Sequence, residues 1–100
     1  MEIGGRTVDD QALAGFCRRH GVARLSLFGS VLRGDDRPES DIDLLVEFIG
    51  GQSPSLLDLG GMLMELQNLL GRPVDLKTPA FLSPHIRQDV LKRARPLYAA

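Results

Sequence analysis

Two short stretches carry residues whose types and spacing could do chemistry. Leu25-Ser26-Leu27-Phe28 runs into Gly29-Ser30, and after ten intervening residues Asp41-Ile42-Asp43 opens a second apolar run, Leu44-Leu45-Val46. Successive strand side chains alternate faces, so Asp41 and Asp43 point the same way, about 7 Å apart along the backbone. Two carboxylates on one face suit a hard cation such as Mg²⁺, and without one they repel and raise each other's pKa. Gly29 has no Cβ, so a ligand can approach the main chain and the corner can take backbone angles closed to other residues. Ser30-Val31-Leu32-Arg33 can then start a short helix whose free N–H groups face an anion, with a hydroxyl from Ser30 and a positive charge from Arg33. Together these parts can hold a triphosphate and its metals.

The rest of the chain must position them. A first helix is expected over 7–20, capped at Thr7 with Asp10 three residues on. Leu13, Phe16, Cys17 and His20 fall on one of its faces, and Gly21 ends it. Cys17 reads as a core thiol and His20 as a helix-end packing residue. Strands are expected over 24–28, 41–48 and 73–77. In the second, Ile42, Leu44 and Val46 lie opposite the two acids; in the third, Val74 and Leu76 lie opposite Asp75. Ser53 and Pro54 read as the start of a long helix with an apolar face of Leu56, Leu59, Leu63, Leu66 and Leu70, widened by Leu57, Met62 and Leu69. Gly60-Gly61 inside it costs about 1 kcal/mol per residue against Ala, which suggests close packing or a kink. Ser83-Pro84 starts a last helix with Ile86, Val90, Leu91 and Ala94 on its apolar face, stopped by Pro96. Its Arg87, Lys92, Arg93 and Arg95 read as a solvated basic face.

The second strand, long helix and third strand form a β-α-β unit, so those two strands are parallel with a right-handed crossover. If the Gly-Ser corner and the acids share one site, the first two strands must be antiparallel. The expectation is an α+β fold: a three-stranded mixed sheet of order 1-2-3 packed with about four helices, in which Asp75 lands beside Asp41 and Asp43.

One hundred residues make one domain, 1–100, with room for a single core. Lys and Arg number 12 against 13 acids, so no overall basic field holds nucleic acid. The apolar segment 56–70 is interrupted by Asp58, Glu65, Gln67 and Asn68, and the N-terminus lacks the form of a signal peptide. A single Cys fits a reducing cytoplasm.

Gly29-Ser30, ten residues, then Asp41-x-Asp43, with Asp75 downstream, resembles the signature of the DNA polymerase β-type nucleotidyltransferase superfamily. More narrowly the chain resembles the minimal nucleotidyltransferases, antitoxin partners of HEPN-domain toxins, over roughly Leu13 to Tyr98. The resemblance implies the same fold and a nucleoside monophosphate transfer, most simply AMP from ATP, to a tyrosine hydroxyl of a HEPN RNase toxin. It implies two Mg²⁺ ions held by Asp41 and Asp43, with Asp75 on the catalytic metal and assisting deprotonation of the acceptor. Gly29 and Ser30 would hold the triphosphate and Arg33 its developing charge. Two alternatives stand beside it: a silent antitoxin acting by stoichiometric binding, and transfer to a small molecule or nucleic-acid end. The complete set of carboxylates favours an enzyme, and a chain with no room for an acceptor domain favours a protein partner in a hetero-oligomer, without direct nucleic-acid binding.

Overall fold

Gly4 and Gly5 take φ of 59° and 80°, the left-handed pair that closes a two-residue hairpin turn. That hairpin, β1 (Glu2–Ile3) against β2 (Arg6–Thr7), starts the chain. The computed structural model describes residues 1–52 and 54–100. Thr7 belongs to this hairpin and not to the first helix; the cap is Asp9, whose carboxylate accepts from the Gln11 N–H, and α1 spans Asp10–Arg19. Asp9 wins because it directly precedes the periodic segment, whereas the apolar Val8 after Thr7 is drawn into the core.

The helix buries Leu13, Phe16 and Cys17 as expected, and His20 turns across to Glu65 at 3.2 Å. Burial pushes the Cys17 thiol up to about 11, the Arg18 charge opposing it weakly. A thiol that is both buried and protonated is inert. Cys17 should therefore react with a disulfide reagent at pH 8 only at the rate of global unfolding, a dependence that a denaturant series would check.

Strand β3 (Val22–Phe28) leads into α2 (Gly29–Arg33), and after a polar loop β4 spans Ile42–Phe48. The long helix α3 spans Leu56–Leu70 and β5 spans Val74–Lys77. A 3₁₀ turn at Pro79–Phe81, α4 (Pro84–Arg93) and β6 (Arg95–Ala99) complete the chain. β3 and β4 are antiparallel, β4 and β5 parallel, which is the expected arrangement. The sheet has four strands rather than three: β6 adds antiparallel to the free edge of β3, giving the order β5-β4-β3-β6. Pro96 reads as a stop in sequence, but an edge strand tolerates a missing N–H.

Ile42, Leu44 and Val46 join Leu25, Leu27, the α1 face and Met62, Leu66 and Leu70 of α3 in one core. Ser53, expected to cap α3, lies outside the described residues. Ser55 caps the helix, its side chain accepting from the Asp58 N–H while the Asp58 carboxylate accepts from the Ser55 N–H. The expected apolar face of α3 is buried only toward its C-terminal end. Leu56 is 82% and Leu57 86% exposed, and Met64 is also exposed. Gly60 and Gly61 neither pack closely nor break the helix: a Cβ at either would meet nothing within 4 Å. In α4 no residue is buried and Ile86 is half exposed. Two of its basic residues serve local contacts: Arg87 donates to the Pro79 and Leu82 carbonyls, and Arg93 pairs with Asp89. Among the described residues no helix is long and apolar enough to cross a membrane.

Candidate active site

The register of three strands sets one row. Across the antiparallel pair, Asp43 of β4 lies opposite Phe28, the residue before Gly29; across the parallel pair, Asp43 lies opposite Asp75 of β5. Neighbouring strands are about 4.8 Å apart, so the Gly-Ser corner, Asp43 and Asp75 sit side by side in that order. The sequence-predicted acids are thus brought together around Asp43. Asp41 stands just ahead of β4, exposed and outside the ladder.

Gly29 is required here on two counts. Its φ is 76°, and a Cβ would overlap the Asp43 carboxylate, lying 2.7 Å from Cγ. Phe28 precedes α2, and among the described residues no side chain caps that helix, which leaves its first N–H groups beside Ser30 without a side-chain cap. Arg33, in the last turn, points its Nε at the Asp35 carboxylate, 3.2 Å away, on an exposed surface.

Asp43 is the electrostatic centre. Burial, then the charge of Asp75, then that of Asp41 raise its pKa above the ordinary Asp value, while Lys77 and Arg33 pull it down. Lys77, which sequence reasoning passed over, lies 3.4 Å from Asp75. The period of two that puts residues 75 and 77 on one strand face was the available signal. Arg72 was passed over as well, since a charge between the helix-ending Gly71 and Pro73 looks like ordinary punctuation. Its guanidinium donates to the carbonyls of Gly4, Arg37 and Ser40 and to the Asp36 carboxylate.

A groove of about 490 Å³ opens at Asp75, walled by Leu59, Gly60, Leu63, Leu76 and Phe81. A larger cavity, about 920 Å³, is at the other end of the sheet by His20, Phe48 and Glu65, and holds none of the three aspartates.

The nucleotidyltransferase domain family matches residues 10–97, which takes in the corner and all three aspartates. The chain belongs to that family. A Methanocaldococcus jannaschii relative, classed by name with the protein adenylyltransferases, is 43% identical over 76 residues, covering 76% of this chain and 80% of its own length. Protein adenylyltransferase MntA of Thermococcus cleftensis is 39% identical over 74 residues, covering 74% and 73%. Among solved structures, a minimal nucleotidyltransferase superposes with a TM-score of 0.72 at 42% identity, over 87% of each chain. A toxin–antitoxin structure with AMP-PNP gives 0.74 at 21% identity, over 93% of this chain and 75% of that one. The structure of a tri-AMPylated Shewanella oneidensis HEPN toxin with its MNT antitoxin gives 0.65 at 19%, over 91% and 70%. These last two show the fold alone.

In this nucleotidyltransferase the donors fit a divalent cation in a particular way. The carboxylate oxygens are hard ligands, and the mutual repulsion at Asp43 is what a cation relieves. Yet among the described residues no three His, Cys, Asp or Glu side chains close on one point. Mg²⁺ is ordinarily held by one or two carboxylates plus substrate phosphates, so a metal held here would need a nucleotide to complete its coordination. Asp75→Asn tests this. It removes one source of repulsion but strips Lys77 of its counter-ion, so the metal-free melting temperature should change little. The rise on adding Mg²⁺ and ATP should shrink by more than half.

Proposed function

We propose that this nucleotidyltransferase transfers AMP from ATP, with Mg²⁺, to a tyrosine of a partner HEPN RNase toxin and acts as its antitoxin. The observation that carries the reading is the single row of Gly29, Asp43 and Asp75. Gly29 and Ser30 hold the triphosphate on the first N–H groups of α2, and Arg33, released from Asp35, reaches the same charge. Asp41, Asp43 and Asp75 would hold the metals. Bound Mg²⁺ supplies charge neutralisation at the phosphates and acidifies the attacking hydroxyl.

The chain's own residues do the rest. The corner fixes pyrophosphate, the leaving group, on the β3 side of Asp43, so an in-line acceptor must approach from the Asp75 side. Asp75 then stands where it can take the hydroxyl proton, and Lys77 holds that carboxylate in place. Exposed Leu56 and Phe81 line the groove, and Leu57 and Met64 are exposed elsewhere on α3; this bare apolar surface supports a protein as the acceptor's carrier. ATP as substrate and an RNase as target fit a cytoplasmic location.

The test uses ATP labelled at either the α- or the γ-phosphate, with the chain, Mg²⁺ and the HEPN toxin. Label from the α-position alone should become protein-bound. Transfer from the γ-position, or toxin inhibition with no label transferred, would overturn the reading, the latter in favour of a stoichiometric antitoxin.

A further inference from the structure

The polar loop between α2 and β4 sets the approach to Asp41, and one largely buried cation holds it. Four of the five donor hydrogens of Arg72 are used: Nη1 to Gly4 O at 3.2 Å and Asp36 Oδ2 at 3.1 Å, Nη2 to Arg37 O at 2.9 Å and Ser40 O at 2.7 Å. The Arg72 side chain is only 9% exposed, and its fifth donor, Nε, is buried without a partner among the described residues. Leaving that donor unpaired is costly, so the guanidinium sits where the other four contacts require it. The loop also closes on itself, Ser40 N donating to Arg37 O and Arg37 N to Ser40 Oγ.

The consequence lies in the peptide linking Ser40 to Asp41. The Ser40 carbonyl and the Asp41 N–H share one rigid plane. Asp41 is exposed and precedes the β4 ladder, which begins at Ile42 with Ile42 N donating to Pro73 O. Nothing in the ladder therefore fixes the plane on the N-terminal side of Asp41; the grip of Arg72 on Ser40 O does. Arg72 is also three residues before Asp75, on the segment leading into β5. One side chain thus ties the backbone of the first carboxylate to the strand that carries the third.

We propose that Arg72 is a positioning residue for the metal-nucleotide site, acting through Asp41. The inference rests on the nucleotidyl-transfer reading above. Lysine cannot substitute: an ammonium offers three donors around a point, not a planar fork able to serve three carbonyls and a carboxylate at once.

The experiment is a double-mutant cycle read by calorimetry, with Mn²⁺ and a non-hydrolysable ATP analogue as the probe. Arg72→Lys should bind the metal nucleotide about 10- to 100-fold more weakly than wild type, the usual penalty for losing support behind a metal ligand. Asp41→Asn should weaken it too, and Arg72→Lys added to Asp41→Asn should cost nothing further, because residues acting as one unit are not additive. Asp36→Asn, which leaves all three carbonyl grips in place, should lower the melting temperature and keep the affinity. Should Arg72→Lys fail to fold, Arg72→Met, which keeps the length of the side chain and has no donor for the carbonyls, takes its place in the cycle. Wild-type affinity in the Arg72 variant, or losses that multiply across the cycle, would overturn the proposal. A wild-type chain that binds no manganese nucleotide would instead overturn the nucleotidyl-transfer reading itself.

Discussion

Gly29→Ala is expected to cripple both folding and nucleotide binding. A side chain at φ 76° carries the left-handed penalty, about 1–2 kcal/mol. The new methyl would also drive into the Asp43 carboxylate, which is backed by the β4 ladder and cannot retreat freely. Overpacking of that kind costs about 1–3 kcal/mol. The sum, roughly 2–5 kcal/mol, corresponds to a fall in melting temperature of roughly 8–40 °C for a chain of this size. Nucleotide affinity should fall with it, since the same clash displaces Asp43, the carboxylate proposed to face the phosphates. Thermal melts and calorimetry with the ATP analogue check both. A Gly29→Ala protein within a few degrees of wild type would mean that the corner is not as close to Asp43 as the fold places it.

Asp43→Asn should do the opposite to stability while abolishing turnover. Burial, then Asp75, then Asp41 hold the Asp43 carboxyl above its ordinary value of 3.8 in the folded chain. Between that value and the raised one, the folded state keeps a proton that the unfolded chain has released, so stability falls as pH rises through the window. At neutral pH the ionised Asp43 is therefore a net cost. Asp43→Asn should melt above wild type at pH 7 without metal, and the advantage should fade as pH drops below 3.8. The same substitution removes the carboxylate nearest both neighbours, and transfer should fall roughly a thousandfold or more, the scale of several kcal/mol of lost charge stabilisation. A variant less stable than wild type at pH 7 would show that the cluster is not repulsive.

How much of this could be read from sequence depended on the range of the signal. The alternation in Asp41-Ile42-Asp43-Leu44 gave the strand, its face and its acids, because a period of two is local. The crossover rule then placed Asp75 beside Asp43 from topology alone. The misses have physical causes. β6 carries Pro96 and pairs only along the edge of β3, so its strand character comes from a partner seventy residues away in sequence. The β1–β2 hairpin is two residues a side, too short to show alternation, although Gly4-Gly5 marked its turn. The bare N-terminal half of α3 reads as core in a hydrophobic pattern, which cannot say which neighbour covers a leucine. Arg72 makes its contacts with residues 32 to 68 positions away, and Arg72 itself is a single charge with no periodic partner.

The most direct test of the central claim is an intact-mass spectrum of the HEPN toxin after incubation with ATP, Mg²⁺ and either wild type or Asp43→Asn. The wild type should add whole adenylate units to the toxin, and Asp43→Asn should bind the toxin yet add none. Full adenylation by Asp43→Asn, or a toxin silenced by wild type with its mass unchanged, would contradict the assignment of this carboxylate row as the site of nucleotidyl transfer.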